Sequence, residues 1–376
     1  MKFLHISDLH IGKRLIERSL IDDQRHILRK IENIVAKNNF DGVLIAGDIY
    51  DKAIPSAEAV DLFNDFLTNL VEKNVKVFVI SGNHDSPERI GFASKILSKA
   101  GVYMSPAYNG KIDPIKLEDG YGHINIYLLP YIKPSYVRQF HPMDEISTYN
   151  EALKIVVDDM DVNKNERNIL LAHQFLGHAE KDGSEEASIG GMDIVDESIF
   201  ADFDYVALGH IHKKQTIKNK MRYSGTPLKY SFSENKNQNS VTIVEIKDKG
   251  KLTIDEIELE PKRNLVEIKG KFKELTSKEY YDKLNKEDYY RIILTDENDI
   301  VDGASKLRNV YPNMLRLDYD NKRTKTRGSI KAVKEIENKS TLELFAEFYE
   351  KQNGLPMSKP QETFMNKTIS NIEEAK

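Results

Sequence analysis

Five short clusters of Asp, His and Asn mark the first 212 residues of this 376-residue chain. They are Asp8-Leu9-His10, Gly47-Asp48-Ile49-Tyr50-Asp51, Gly82-Asn83-His84-Asp85, His173-Gln174 and Gly209-His210-Ile211-His212. Carboxylate, imidazole and amide oxygen donors in one set suit borderline divalent ions such as manganese, iron or zinc. The chain contains no cysteine, which excludes disulfides, thiolate zinc sites, iron–sulfur clusters and a cysteine nucleophile. Any metal must therefore be held by Asp, Glu, Asn or His. Two ions ~3.5–4 Å apart that share a carboxylate make a nucleophile from water at neutral pH and stabilise both attacking and departing oxygens. Such a pair suits phosphoester cleavage. Each fragment alone is common in exposed loops and turns. All five in one chain, each after an apolar run, form a specific signal.

The elements that must position these residues are legible in the periodicity. Apolar, β-branched runs at Phe3–Ile6, Val43–Ala46, Val75–Ile80, Ile169–Ala172 and Tyr205–Leu208 each end where a cluster begins, and a sixth run spans Ile124–Leu129. In an α/β sheet, groups at the carboxyl ends of separate strands converge on one site. The Asp-x-His and His-x-His spacings predict extended backbone, which points the outer residues the same way. The glycines before Asp48 and Asn83 predict tight turns. Amphipathic helices are expected over Ile21–Lys37, with Ile27, Leu28, Ile31, Ile34 and Val35 inward, and over Ser56–Lys73, with Val60, Phe63, Leu67 and Leu70 inward. Ser56 is a partial N-cap signal. Alternation of strand and helix predicts a layered α/β domain. Met221–Tyr223, Ser240–Lys247 and Leu252–Leu259 leave no room for helices and are expected to be antiparallel strands completing a second sheet.

The pattern restarts at Pro261. Strands at Leu265–Ile268, Tyr289–Thr295 and Met314–Asp318, with helical pieces at Ser277–Lys286 and Ile300–Val310, predict a small α+β domain. A basic, turn-like stretch from Asn321 to Lys331 precedes helices at Thr341–Glu350 and Gln361–Glu374, separated by Gly354, Pro356 and Pro360. Such a tail is too small to fold alone and is expected to dock on something.

The ordered set resembles the signature of the calcineurin-like binuclear metallophosphoesterase superfamily, D-x-H, G-D-x-x-D, G-N-H-[DE], H and G-H-x-H. The resemblance implies a four-layer α/β sandwich, two mixed sheets flanked by helices. It implies one ion held by Asp8, His10, Asp48 and His212, and a second by Asp48, Asn83, His173 and His210, with Asp48 shared. His84 would donate a proton to the leaving oxygen or stabilise the charged transition state, oriented by Asp85. Lys52-Ala53 stand where protein Ser/Thr phosphatases carry the Arg-Gly of a phosphate clamp. Cyclic-nucleotide phosphodiesterases usually end soon after the catalytic domain, whereas this chain continues.

Phe3–Gly12, Gly190–Asp193, Phe203–His212 and Ser231–Glu234 are similar to the SbcD-type nuclease subunits, through residue 260 of this chain. That resemblance implies a nuclease domain over 1–260, a capping, DNA-contacting domain over 261–320 and a basic linker with a two-helix tail over 321–376. It implies hydrolysis of DNA phosphodiesters, as a 3′–5′ exonuclease on duplex ends and an endonuclease on single strands or hairpins, with two manganese ions. The partner would be an SbcC-type ATPase whose coiled coil takes the C-terminal helices. A homodimer is implied too, with Leu62 and Phe66 as interface residues, and Lys13 and Arg14 meeting the DNA backbone. The alternatives are a phosphatase or phosphodiesterase for small phosphoesters and a scaffold with a vestigial site; the intact ligand set speaks against the last.

No apolar stretch approaches the ~20 residues that span a bilayer, and Met1–Asp8 turns polar too early for a signal peptide. A soluble cytoplasmic protein without membrane contact is expected. The net charge of -5 and pI of about 6.1 argue against a basic coat for nucleic acid, but bound divalent ions would overturn the local sign. Among the remaining histidines, His5 is expected in the core, His26, His123 and His141 on the surface or on helices, and His178 in a loop near substrate or solvent. Asp51 is expected either to tune the site or to cap a helix. The run Lys322, Arg323, Lys325, Arg327 and Lys331 reads as a solvated linker ahead of the alternative, a set of phosphate contacts.

Overall fold

A strand that is apolar on both faces needs a layer packed on each side, and this chain supplies several such strands. The computed structural model describes residues 1–180, 193–298, 300–321, 340–353 and 355–375. Gly190 to Met192 and the basic run from Lys322 to Lys331 lie outside the described residues. Along the chain, β1 (Lys2–Ile6), α1 (Ile21–Lys37), β2 (Gly42–Ala46), α2 (Ala57–Glu72), β3 (Lys76–Ile80) and β4 (Val102–Met104) alternate strand with helix. Then follow β5 (Ile115–Asp119), β6 (Gly122–Leu128), α3 (Tyr149–Asp158), β7 (Arg167–His173) and β8 (Tyr205–Gly209). Four strands close the unit: β9 (Gln215–Ile217), β10 (Met221–Tyr223), β11 (Ser240–Ile246) and β12 (Leu252–Glu258).

The first sheet has the order β12-β11-β1-β2-β3-β4, parallel from β1 to β4 and antiparallel at β11 and β12. The second has the order β9-β10-β8-β7-β6-β5, parallel through its four central strands with antiparallel edges at β9 and β5. Side chains alternate between faces. Phe3, Leu44 and Phe78 of the first sheet meet Ile126, Ile169 and Leu171 of the second between the sheets. Leu4, Val43 and Val77 point outward onto Ile27, Leu28 and Ile31 of α1, and Leu170 and Val206 point outward onto Leu153 and Val156 of α3. The result is the four-layer arrangement.

Two expectations are corrected. β11 and β12 join the first sheet, not the second: Phe3 pairs with Val244 and Ser240 with Glu258. An alternating hairpin carries no mark of which sheet edge it covers; here it closes the free edge of β1. The inward stripe of α2 is Ala59, Leu62, Phe63, Phe66 and Leu70, while Val60 is 42% exposed. Spacings of three and four residues from Ala59 reach Leu62, Phe63, Phe66 and Leu70, and Val60 lies about 100° away from Ala59 around the helix. Leu62 and Phe66 are thus core residues, not interface residues. Ser56 does cap α2, its Oγ accepting from the Ala59 N–H at 3.3 Å.

Beyond Pro261 a second core forms. β13 (Leu265–Gly270), β14 (Tyr289–Leu294), α4 (Gly303–Val310) and β15 (Met314–Tyr319) make a three-stranded parallel sheet with Ile268, Tyr290, Ile292 and Leu307 buried together. The expected helix at Ser277–Lys286 is shorter, spanning Lys278–Tyr281. This unit is tied to α1 through Asp23, which accepts from Arg263 Nη1 at 3.0 Å and from the Tyr289 hydroxyl at 2.9 Å. At the end of the chain, α5 (Thr341–Asn353) and α6 (Lys359–Ala375) pack as a helical pair. Among the described residues no helix is long and apolar enough to cross a membrane.

Candidate metal centre

The parallel strands β1, β2 and β3 of one sheet and β7 and β8 of the other end at a common seam, so their following residues meet. Asp8 and Asp48 lie two residues past β1 and β2, His173 is the last residue of β7, and His210 follows β8 directly. The backbone is not extended there. Asp8, His10, Asp48 and His210 have φ of +54°, +42°, +51° and +95°, a left-handed region that non-glycine residues enter sparingly, Asp, Asn and His more than most. The expectation of extended Asp-x-His and His-x-His segments is therefore corrected. The loops must fold back across the strand ends to aim both side chains into the seam.

Cross-loop hydrogen bonds hold that conformation. Asp8 N–H donates to the Gly47 carbonyl at 3.0 Å, His10 N–H to that of Asp48 at 2.9 Å and Ile11 N–H to that of Ile49 at 2.9 Å. His210 N–H donates to Asp8 Oδ1 at 2.9 Å, joining the sheets. Glycines permit the approach: a Cβ on Gly82 would stand 2.1 Å from Asp48 Oδ1, and one on Gly209 2.0 Å from the Ala46 carbonyl oxygen. At Gly82, close approach rather than turn formation explains the residue.

The donor atoms converge. His10 Nε2 lies 3.2 Å from His212 Nε2 and 3.6 Å from Asp48 Oδ2; His173 Nε2 lies 3.3 Å from the same Asp48 oxygen. Asn83 Oδ1 is 3.0 Å from His173 Nε2 and 3.1 Å from His210 Nδ1. Asp8 shares one 4.8 Å group with His10 and His212 and another with Asp48 and His173. Acceptors on the far side of the rings set the tautomers. The Nδ1–H of His173 donates to the Ala46 carbonyl at 2.9 Å, that of His84 to the Asp51 carbonyl at 3.1 Å, and that of His212 to Glu234 Oε1 at 3.1 Å. Each ring then presents Nε2 to the seam. Two imidazole nitrogens 3.2 Å apart beside a shared carboxylate oxygen form a set of nitrogen and oxygen donors that a divalent cation fits.

The electrostatics agree. Burial opposes the imidazolium of His173, but the adjacent Asp48, with help from Asp8, outweighs it and pushes the ring up to about 9. Burial likewise opposes the Asp48 anion, yet His173, His10 and His84 hold its carboxyl well below the usual range. Asp8 is pushed up to about 6 by burial. Asp8, His10, Asp48 and His173 are at most 2% exposed and His210 and His212 8%, whereas Asn83 and His84 are half-buried and form the open side.

Asp85 is corrected. Its carboxylate does not touch His84 but accepts from the N–H groups of Ile49, Tyr50 and Gly82 at 2.9–3.0 Å, and so pins the second cluster to the third. The carbonyl of Asp51 orients His84 instead. The Asp51 side chain neither caps a helix nor enters the cluster; it pairs with Lys13 Nζ at 2.7 Å. Arg14 is exposed and donates to the Glu17 carbonyl. His5 is buried against the Tyr205 hydroxyl at 2.8 Å, and the exposed ring of His178 pairs with Glu197 at 3.0 Å.

Three supporting residues are not foreseen from the sequence. Gln24 of α1, 1% exposed, donates to the His10 carbonyl at 2.7 Å and accepts from Gly12 N–H at 2.9 Å. Its signal is a polar residue one helical turn before Ile27 and Leu28. Ser7 Oγ donates to Asp8 Oδ2 at 2.5 Å. Glu234 lies in the Ser231–Glu234 phrase, with nothing in its spacing to link it to His212.

Comparison with known proteins bears on this site. Residues 1–214 match the family model of calcineurin-like phosphoesterases, and residues 261–353 match one described as the type 5 capsule protein repressor C-terminal domain. A curated relative from Staphylococcus epidermidis, the SbcD subunit of nuclease SbcCD, is 33% identical over 322 residues, covering 84% of this chain and 85% of its own length. Its namesake from Staphylococcus saprophyticus is 33% identical over 322 residues, 84% of each chain. A solved dimetal phosphatase from Danio rerio aligns with 69% of this chain and 98% of its own, with a TM-score of 0.40 and 11% identity. The chain belongs to the calcineurin-like phosphoesterase family and, within it, to the family of SbcD subunits of the SbcCD nuclease.

Proposed function

We propose that this chain is the nuclease subunit of a DNA repair and recombination complex, hydrolysing DNA phosphodiester bonds together with an SbcC-type ATPase. The observation that carries the reading is the convergence of His10, His212, Asp48, His173 and Asn83 at 3.0–3.6 Å on one seam. In this reading Asp8, His10, Asp48 and His212 hold one Mn²⁺ and Asp48, Asn83, His173 and His210 a second. When bound, the ions activate water and neutralise charge developing on the phosphoryl oxygens.

The chain's own residues do the rest. The bonds from Ala46, Asp51 and Glu234 keep three rings in the tautomer whose Nε2 faces the seam. His84, its ring 20% exposed with Nε2 4.0 Å from Asp48 Oδ2, meets the phosphodiester from the open side. There it donates a proton to the leaving oxygen or stabilises its charge. Residues 261–320 act as a cap beside the DNA and Lys13 and Arg14 as backbone contacts. Residues 321–376 act as the partner-binding tail: Phe345, Tyr349, Met357 and Phe364 line an apolar cleft of about 310 Å³ between α5 and α6, the kind of surface that takes an amphipathic helix.

The test is Mn²⁺-dependent release of nucleotides from linear duplex DNA by the purified chain, with and without the ATPase. Cleavage of small phosphoesters but never of DNA, in either condition, would sink the nuclease reading and favour a small-substrate phosphodiesterase.

A further inference from the structure

Glu234 is a fully buried carboxylate, 0% exposed, and burial of an anion is costly unless it is paired and hydrogen-bonded. It ends the short 3₁₀ turn Phe232–Glu234. Oε2 accepts from the Tyr230 N–H at 3.0 Å and faces the Thr226 hydroxyl at 3.5 Å, while Oε1 takes the Nδ1–H of His212 at 3.1 Å. Among the described residues no lysine or arginine lies within 4.0 Å of it; His212 is its one ion-pair partner. A glutamine would satisfy the two neutral donors at no comparable cost. Lys229 feels the charge from beyond 4.0 Å, and His212 takes it in direct contact.

His212 differs from His173 and His84 in the group behind its ring. His173 and His84 rest on neutral backbone carbonyls, and His212 alone of the three leans on a carboxylate. A carboxylate behind an imidazole fixes ring orientation and makes the opposite nitrogen a better donor to metal. That opposite nitrogen, His212 Nε2, faces His10 Nε2 at 3.2 Å. The same segment braces the other ring: Tyr230 packs edge-on against His10 at 5.5 Å between ring centres and donates to the Leu9 carbonyl.

We infer that Glu234 is the positioning residue of the ion held by His10 and His212, orienting His212 and raising the donor strength of its Nε2. The inference rests on the metal-centre reading above and deepens it. Calorimetric titration of the metal-free full chain with Mn²⁺ tests it, alongside Mn²⁺ electron paramagnetic resonance of the two-equivalent complex. Wild type is expected to bind two ions and show the broadened signal of a spin-coupled pair. In Glu234→Gln and Glu234→Ala one of the two affinities falls about 10–100-fold, the other is retained, and the six-line signal of an isolated ion replaces the coupled one. Glu234→Asp, retaining the charge, recovers more affinity than Glu234→Gln, although Gln matches Glu in length. A purely structural role reverses that order, and thermal melts in chelator show which variants are folded. Two wild-type affinities and a coupled signal in Glu234→Gln overturn the inference. Failure of the wild-type chain itself to take up Mn²⁺ instead overturns the metal-centre reading.

Discussion

His84 differs from the other imidazoles of the seam in exposure. Its ring is 20% exposed and its Nδ1–H is held by a carbonyl, which turns Nε2 toward the seam from the open side, 4.0 Å from Asp48 Oδ2. It is absent from the implied ligand set, so a variant there separates chemistry from metal binding. His84→Ala is expected to keep both Mn²⁺ affinities within about twofold while lowering the DNA cleavage rate by about 10²–10⁴-fold, the usual contribution of a positioned acid or base. Calorimetry and a single-turnover nuclease assay on the same preparation check this, and unchanged cleavage would refute the role. Asp85 shows the opposite case. Burial and the nearby Asp48 push its carboxyl up to about 6, yet its three backbone N–H partners make it a loop clamp. A perturbed carboxylate next to the histidine proposed to be catalytic can be there for architecture alone.

At the scale of elements, the two sheets touch where their strands end, and glycine makes that contact possible. Gly209 follows the last apolar residues of β8 and faces the Ala46 carbonyl at the end of β2. Gly209→Ala would place a methyl 2.0 Å from that oxygen, so one sheet edge must shift. Overpacking of this kind costs about 1–3 kcal/mol. The expected result is lower stability to denaturant in chelator, with weakened Mn²⁺ binding, because His173 and His210 flank the contact. Wild-type stability and affinity would show that the sheet edges yield freely. Gln24 illustrates the same dependence from the helix layer: α1 contributes one polar side chain from its apolar stripe, and that side chain fastens the loop bearing Asp8 and His10.

Across the whole molecule, His5 bridges the sheets, running from β1 to the Tyr205 hydroxyl on β8. Burial, with the nearby Arg222 charge, pushes its imidazole from 6.5 down to about 3. The folded ring stays neutral where the unfolded one takes a proton. The stability it contributes is therefore complete above about pH 6.5 and is lost as pH falls from there toward 3. At pH 5 the loss from this one group is about 2 kcal/mol. His5→Gln removes that term, so its stability is expected to change less between pH 7.5 and pH 5 than wild type, in denaturant melts with chelator. Parallel acid limbs would contradict this. The tail makes the other prediction at this scale. Deleting residues 339–376 is expected to abolish co-purification with an SbcC-type ATPase and leave Mn²⁺ binding intact; a truncated chain that still co-purifies would remove the tail from the interface. On the proposed function, the overall charge of -5 means that the hold on DNA would come from bound ions, a local groove and a partner.

Much of this was legible from residue types and spacing. Asp8, His10, Asp48, Asn83, His173, His210 and His212 stand after strands that the β-branched runs mark, and α1 spans Ile21–Lys37 as its periodicity predicts. Local chemistry is enough there, because apolar period and cluster order are properties of neighbouring residues. The remainder depends on distance in space. The left-handed backbone at Asp8 and Asp48, the partner of Asp85, the pairing of Lys13 with Asp51, the sheet that takes β11, and the burial of Leu62 and Phe66 each follow from what packs opposite. Glu234 is the plainest case. It lies 22 residues from His212 in the chain, and only the path of the connection that crosses from β10 of the second sheet to β11 of the first brings its carboxylate to the ring.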